Sequence, residues 1–377
     1  MIRPDTHAVM TPLDLDANAT EALRPTARAA LLAALEVGGN PSSIHGGGRA
    51  ARRIVEKARG QLAARFGAAP GDIVLTSGGT EANALAIHGL SPGRRVLLGA
   101  TEHAAVRAAA PEGAVTPVLA DGIVDLAALA ALLANGAPAL VCLMAANNES
   151  GVLHPLAEVA ALCRAHGALL HVDAVQSAGR LGLDIRALGA ASVAISAHKL
   201  GGVPGAGALI LAPGLHLPAL IAGGGQERGR RGGTEPLPAI AAFGAAAAET
   251  YDTARITGLR DAIEAGLRAI APGIVIAGAS APRLPNTTLA VLPGIPAETQ
   301  VIALDLAGIR VSAGAACSSG KVAASHVLEA MGFGADAGCG IRISLPWNAP
   351  DDAPERFLHA YAAMHARLSS RRAGRST

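Results

Sequence analysis

The sequence predicts an α/β fold: a largely parallel, buried sheet flanked by helices and joined to a smaller second unit. Three observations carry that prediction. Apolar runs of strand length alternate with helix-like stretches of ten or more residues, the spacing that βαβ units require. Two such runs, within residues 168–202, each end in a polar cluster, as strands do when their carboxyl ends carry a site. From about Tyr251 a long helix-like stretch leads into new strand-like runs, which marks the second unit.

Taken in order, LDLDANAT is a short apolar run ending in an Asp/Asn/Thr loop, and RPTARAALLAALEV is a helix with Pro25 near its start. GNPSSIHGGG is a loop. The spacing of Ile54, Ala58, Leu62 and Phe66 then predicts a helix with one apolar face. GDIVLTSGGTEANALAIHG reads as strand, glycine turn and helix, with Thr80 at the helix entrance, where free N–H groups attract an anion. A further strand precedes ATEHAAV. VTPVLA, the turn at Asp121 and Gly122, and a helix that Asp125 caps come next. ALVCLMAANNESG is strand and polar loop, LAEVAALCRAHG is helix, and the two central strands and GALILA follow. GGGQERGRRGGT is too rich in glycine for a regular element. The second unit holds the helix YDTARITGLRDAIEAGLRAI, a further helix, a β-like IRVS, the loop SAGAACSSGK, VLEAMGF, GIRISL and a solvated basic tail.

The totals exclude several classes. At 377 residues, 51% hydrophobic and 16% charged, the chain can bury a large interior and is not disordered. With 31 Lys and Arg against 29 Asp and Glu, and 2% aromatics, it lacks both the charge and the stacking surface for nucleic acid. No apolar run reaches membrane-span length, and the start MIRPDTHAVMTPLDLD has no signal core, so the expectation is a soluble, cytoplasmic protein. Cys142, Cys163, Cys317 and Cys339 form no CxxC pair, which argues against structural zinc and against a disulfide framework.

The candidate chemistry centres on Lys199 and Asp173. A lysine and a carboxylate at neighbouring strand ends suit pyridoxal phosphate, which needs an amine for its Schiff base and an acid to keep its pyridine nitrogen protonated. Ser196 and His198 stand beside the lysine as phosphate donors, and Gln176 stands where it can donate to the cofactor's phenolic oxygen. Gly79 and Thr80 form a turn suited to the phosphate. His103, at a strand end, can stack on the ring and move protons. Asn148 closes another strand. Each residue alone has a plainer reading: Lys199 a surface lysine, Asp173 a helix cap, His103 a helix-start histidine, Gly-Gly-Thr a simple turn. Among the cysteines, Cys317 lies among small residues where a thiol is accessible, whereas Cys142 and Cys163 lie in apolar segments and Cys339 is ambiguous. Arg342 can grip an amino-acid carboxylate in bidentate fashion.

Together these segments resemble the cysteine desulfurases of the NifS/IscS-like group, which are class V pyridoxal-phosphate enzymes. The marks are LDLDANAT, GNPSSIH, TSGGTEANALAI, TEHAAV, NNESG, HVDAVQS, SAHKLGG, GGGQERGRRGGT and SAGAACSSGK, spread from about Leu13 to Leu345. The resemblance implies fold type I, aspartate-aminotransferase-like. A large, mostly parallel seven-stranded domain would span residues 15–251, and a smaller α+β domain residues 1–14 and 252–377. It implies Lys199 as the Schiff-base residue, Asp173 at the pyridine nitrogen, Gln176 and Asn148 near the phenolic oxygen and substrate, and His103 as the stacking base. Gly79, Thr80, Ser196 and His198 would bind the phosphate, and Thr234 would reach the phosphate of a second subunit, which implies a homodimer. Arg342 would hold the substrate carboxylate. Cys317 would take sulfur from L-cysteine as a persulfide, releasing L-alanine, and pass it to a sulfur-acceptor or iron–sulfur scaffold protein. No intrinsic metal site is implied, although persulfidated Cys317 could act as a transient iron–sulfur ligand. Three positions depart from the family pattern: Glu21 stands where a second threonine is usual, GGVPGAG follows the lysine, and Pro346-Trp347 follows the arginine strand. The alternatives are another class V enzyme, an aminotransferase or selenocysteine lyase, and a non-catalytic protein that kept the fold.

Overall fold

The structure, a computed structural model, describes residues 12–314 and 324–373. Its centre is a seven-stranded sheet in the order Ile73–Thr76, Gly207–Leu211, Ser192–Ser196, Leu169–Asp173, Ala139–Met144, Arg95–Gly99, Ala114–Thr116. Gly207–Leu211 runs antiparallel to both its neighbours, and the other pairings in this sheet are parallel. Parallel strands are covered on both faces, so they read as unbroken apolar runs. Ala139–Met144 and Ser192–Ser196 are buried at every residue. Side chains alternate across the sheet, and so Val141 and Leu143 enter one apolar core while Leu140 and Cys142 enter another on the opposite face. Each such aliphatic side chain contributes roughly 1.5–3 kcal/mol by leaving water, which makes these strands the rigid part of the molecule.

The helices follow the sequence closely. Pro25 opens the helix Pro25–Val37. In Gly46–Arg65 the residues Ala58 and Leu62 are buried, with Phe66 buried just past its end and Ile54 packed partly buried against the same core. The Asp125 side chain accepts the Ala128 N–H at 3.0 Å and caps Leu126–Leu133.

A second, antiparallel sheet orders Ser312–Ala313, Gly340–Ser344, Thr287–Val291 and Val275–Ile276. Its core joins Leu13 and Leu15 to residues between Ile256 and Met364, because Leu13–Asp14 pairs with Ile309–Arg310. Two expectations change here. The β-like IRVS divides into two short strands in different sheets, broken at Val311. The basic tail begins inside a helix, Ala353–Ala373. That helix buries Phe357, Tyr361 and Met364 at spacings of three and four, a stripe too sparse to stand out among its polar residues.

Candidate active site

Because the strands are parallel, five chain segments reach the same edge of the sheet. Thr76 leads to Gly78 and Gly79, Gly99 to His103, Met144 to Asn148, Asp173 to Gln176, and Ser196 to Lys199. This is the edge where open α/β sheets bind ligands.

Asp173 is buried at its strand end. One carboxylate oxygen accepts the Val175 N–H at 3.0 Å and the other accepts the Asn83 amide at 2.7 Å. Burial raises its pKa above the usual carboxylate range, against the pull of those two donors and of His103 and Lys199. Behind it runs a buried chain. The Asn83 Oδ1 lies 2.9 Å from His171 Nε2, and His171 Nδ1 lies 2.8 Å from the Ser192 hydroxyl. Burial drops the His171 pKa to about 4, so the ring is neutral and has one N–H to offer. Sequence reasoning missed Asn83 and His171. A signal existed: residues 171 and 173 of one strand face the same way.

Lys199 ends the short helical turn Ala197–Lys199. Its Nζ donates to the carbonyls of Asn18 and Ala19, the latter at 2.8 Å. Burial first, then Arg342 and Arg180, lower its pKa to about 7, with Asp16 and Asp173 opposing. A lysine so placed supplies a neutral amine near neutral pH, the form that condenses with a carbonyl. His103 caps Ala104–Ala109 through Nδ1, which accepts the Ala105 N–H at 3.1 Å. Although its ring is exposed in the lone chain, desolvation by the surrounding walls lowers its pKa, with Asp173 raising and Lys199 lowering it.

Of the phosphate candidates, Gly79 and Ser196 lie together. A Cβ on Gly79 would stand 2.6 Å from Val175 Cγ2 and 3.5 Å from Ser196 Cβ, so only glycine permits this approach of helix to strand ends. Gly79–Leu90 starts without a side-chain cap, leaving its first N–H groups free for an anion, with Thr80 exposed beside them. His198 Nδ1 lies 3.2 Å from the Thr20 hydroxyl, and burial lowers its pKa to about 4. Gln176 is committed within the chain. Its Nε2 donates to the Asn18 carbonyl at 3.0 Å and its Oε1 accepts from Arg180 at 2.7 Å. Thr234 is exposed, three residues beyond Arg231, which pairs with Glu81 of the Gly79–Leu90 helix at 2.8 Å.

Arg342 donates to the Asn148 carbonyl at 3.1 Å and pairs with Asp16 at 2.6 Å, leaving its Nε buried without a partner. Asn148 Oδ1 is also buried and unpartnered. Cys317 lies outside the described residues. Cys142 and Cys163 are buried with pKa values raised by burial, as inert core thiols are. Cys339 is buried as well.

The three departures from the family pattern meet behind Lys199. Glu21 accepts the Trp347 backbone N–H at 3.1 Å and pairs with Arg180, while the Trp347 indole donates to the Ala22 carbonyl at 2.9 Å. Arg24 lies over the Trp347 ring and bonds the carbonyls of Leu200 and Gly201, the latter at φ +90°. The loop that receives the Lys199 amine is thus held where the three departures touch one another.

Pyridoxal phosphate fits these residues. A buried carboxylate lacking a full counter-charge suits a pyridinium N–H, a low-pKa amine suits the aldehyde, and the glycine turn with its uncapped helix suits the phosphate. Fold and site define a pyridoxal-phosphate-dependent enzyme of the aspartate-aminotransferase type. Comparison with known proteins narrows this. The family Aminotransferase class-V matches residues 14–353. The cysteine desulfurase of Cereibacter sphaeroides is 43% identical over 333 residues, 84% of this chain and 86% of that protein. A NifS-like protein from Rickettsia africae superimposes with a TM-score of 0.88 at 35% identity, covering 94% of this chain and 99% of that one. A structure described as SspA in complex with cysteine gives a TM-score of 0.78 at 26% identity, covering 89% and 99%. The chain belongs to the class-V aminotransferase family.

Proposed function

We infer that the protein is a cysteine desulfurase, converting L-cysteine to L-alanine and retaining the sulfur as a persulfide on Cys317. The observation that carries this reading is the meeting of Lys199 with Asp173 and His103, brought from separate segments to one edge of the large sheet, and with Arg342, brought to them from a strand of the second sheet. The close relatives named cysteine desulfurase support it.

Pyridoxal phosphate, when bound, supplies the electron sink that stabilises negative charge at the substrate Cα. The chain's own residues do the rest. Asp173, oriented by Asn83 and Val175, holds the proton on the cofactor's pyridine nitrogen. Arg342 binds the substrate carboxylate beside Asn148. The Lys199 amine takes the Cα proton and gives one back to Cα when alanine forms, and its low pKa leaves it free to do so near neutrality. Cys317 attacks the substrate sulfur as the thiolate. The S–S bond forms as the Cβ–S bond breaks, and the Cβ–S electron pair stays with carbon and is protonated to give the methyl group of alanine.

The reading extends to the domain division at about residue 251, to a cytoplasmic homodimer in which the exposed Thr234 serves the partner's phosphate site, and to donation of sulfur for iron–sulfur clusters. Cys317→Ala is the test. It is expected to keep the cofactor's visible absorbance and to form neither alanine nor sulfide from L-cysteine. Retained turnover overturns the role of Cys317, and keto acid formed in place of alanine overturns the reaction.

A further inference from the structure

Glu81 is the acidic residue in the first turn of Gly79–Leu90, the helix that starts without a side-chain cap. A carboxylate at that place competes with an incoming anion, by its charge and for the free N–H groups. Here both of its oxygens are committed elsewhere. One accepts Arg231 Nε at 2.8 Å, and the other accepts Arg231 Nη2 at 3.1 Å together with the Ser77 N–H at 2.8 Å and the Ser77 hydroxyl at 2.5 Å. The two side chains are largely enclosed, at 10% exposure for Glu81 and 17% for Arg231. Burial acts to raise the Glu81 pKa, and the bonds from Arg231 and Ser77 outweigh it and hold the pKa below its usual value.

Arg231 comes from the glycine-rich loop, 150 residues along the chain, and the course of that loop is tightly fixed. Glu227 and Arg228 both lie in the left-handed region, at φ +48° and +60°, where residues with a side chain are strained. Buried bonds hold them there. The Glu227 carboxylate accepts Arg59 twice, at 2.8 and 2.7 Å, and accepts the Leu75 N–H at 2.8 Å from the edge strand Ile73–Thr76, which leads directly into Ser77. Strain kept in place by its surroundings marks a segment whose course serves a task.

We propose that Arg231 is a positioning residue for the cofactor's phosphate: by engaging both oxygens of Glu81 it neutralises the carboxylate in the first turn of Gly79–Leu90 and leaves the free N–H groups there to the phosphate. This role rests on the reading of that turn, with Gly79 and Thr80, as the phosphate site. The two partners then act with opposite sign. Without Arg231 a bare carboxylate stands beside the anion and repels it, whereas without the Glu81 charge the guanidinium stands there unpaired and attracts it. A pair that merely held the loop in place would loosen the cofactor whichever partner was lost.

Holoenzyme loaded with pyridoxal phosphate, and the same chain loaded with pyridoxal, which lacks the phosphate, are each diluted into buffer free of cofactor, and loss of the visible band is followed. Arg231→Met is expected to release pyridoxal phosphate about 3- to 10-fold faster, the worth of one charge at a helix start. Its release of pyridoxal is expected to stay within about twofold of wild type. The excess is expected to shrink in about 1 M salt, which screens the stranded charge. Glu81→Gln, which keeps an oxygen for Ser77, is expected to hold pyridoxal phosphate at least as long as wild type, and the double variant to lie close to wild type. The sign of the Glu81→Gln effect decides the matter even where Arg231→Met does not fold. Faster release of both ligands alike in Arg231→Met, or faster release of pyridoxal phosphate in Glu81→Gln, overturns the proposal. A wild-type chain that keeps pyridoxal as long as pyridoxal phosphate overturns the phosphate site and the inference with it. A wild-type preference for pyridoxal phosphate that Arg231→Met retains in full overturns the inference alone.

Discussion

The Glu21 carboxylate lies 3.2 Å from the Arg180 guanidinium, and both side chains are almost wholly buried. Arg180 also donates to the backbone and side chain of Gln176, which bonds the Asn18 carbonyl that receives the Lys199 amine. Removing one partner of a buried pair strands the other charge, at a cost of roughly 3–5 kcal/mol. Glu21→Gln is expected to lower the unfolding free energy by that order in a denaturant titration. The double variant Glu21→Gln, Arg180→Met is expected to regain much of the loss, because the stranded charge is then gone. Equal loss in the single and double variants would show that the pair is not what stabilises this loop.

The lowered pKa of Lys199 makes a second prediction, with a definite sign. The neutral amine is the nucleophile toward the cofactor aldehyde, so reconstitution of the apoenzyme with pyridoxal phosphate is expected to speed up as pH rises. The rate should climb about tenfold per pH unit below the midpoint and level off above about pH 7, the value to which burial, Arg342 and Arg180 depress this lysine. Arg342→Ala removes one of the two cations and should move the midpoint upward. Stopped-flow absorbance from about pH 5.5 to about pH 9.5 reads both, since that range passes the midpoint by more than one unit on each side. A rate still rising at the upper limit would contradict the placement of Lys199.

Much of this architecture is legible in the sequence, and the reasons are physical. Parallel strands buried on both faces leave unbroken apolar runs such as ALVCLM, and residues at their carboxyl ends must share an edge. Hence Lys199, Asp173, His103 and Asn148 can be gathered from sequence. What stays hidden is contact between distant segments through side chains of ordinary type. Asp16 and Arg342 are 326 residues apart, and nothing local marks them as a pair. Asn83 sits on a helix whose start alone draws attention. Gln176 is visible as a polar residue near Asp173, yet its commitment to Asn18 and Arg180 depends on the fold of the amino-terminal loop. The departures at Glu21 and Trp347 look independent in one dimension and prove to be partners in three.

Asn83 gives a third prediction. Its amide fixes one oxygen of Asp173 and one nitrogen of His171, both buried residues. Asn83→Ala leaves those two polar groups unpaired, costing about 1–3 kcal/mol each in stability. It also frees the Asp173 carboxylate to rotate. Asp173→Asn is the stronger change, since a neutral amide cannot hold the cofactor's pyridine nitrogen protonated, and losing such an electrostatic partner costs about 10²–10³ in kcat. Asn83→Ala is expected to fall between wild type and Asp173→Asn in turnover. Cofactor affinity from fluorescence quenching, set beside the thermal midpoint, distinguishes a loosened carboxylate from general unfolding.

Arg342, proposed to hold the substrate carboxylate, is already engaged within the chain. The fork of this arginine is engaged by Asp16 through Nη2 and by the Asn148 carbonyl through Nη1, and its Nε is buried without a partner. An incoming carboxylate must therefore use the Nε edge or displace Asp16, which is the more exposed of the pair, at 29% against 7% for the arginine. Arg342→Lys keeps the charge and loses the planar fork, so the KM for L-cysteine is expected to rise about tenfold or more while the cofactor spectrum stays unchanged. Asp16→Asn separates the two routes. If the substrate displaces Asp16, removing that competing charge frees the guanidinium and KM falls. If the substrate binds at the Nε edge, Asp16 orients the arginine from the far side, and its loss raises KM. Steady-state assays of alanine formation across a range of L-cysteine concentrations give the sign directly. We expect KM to fall, because the Nε is enclosed while Asp16, the more exposed partner, occupies the side that an incoming carboxylate reaches.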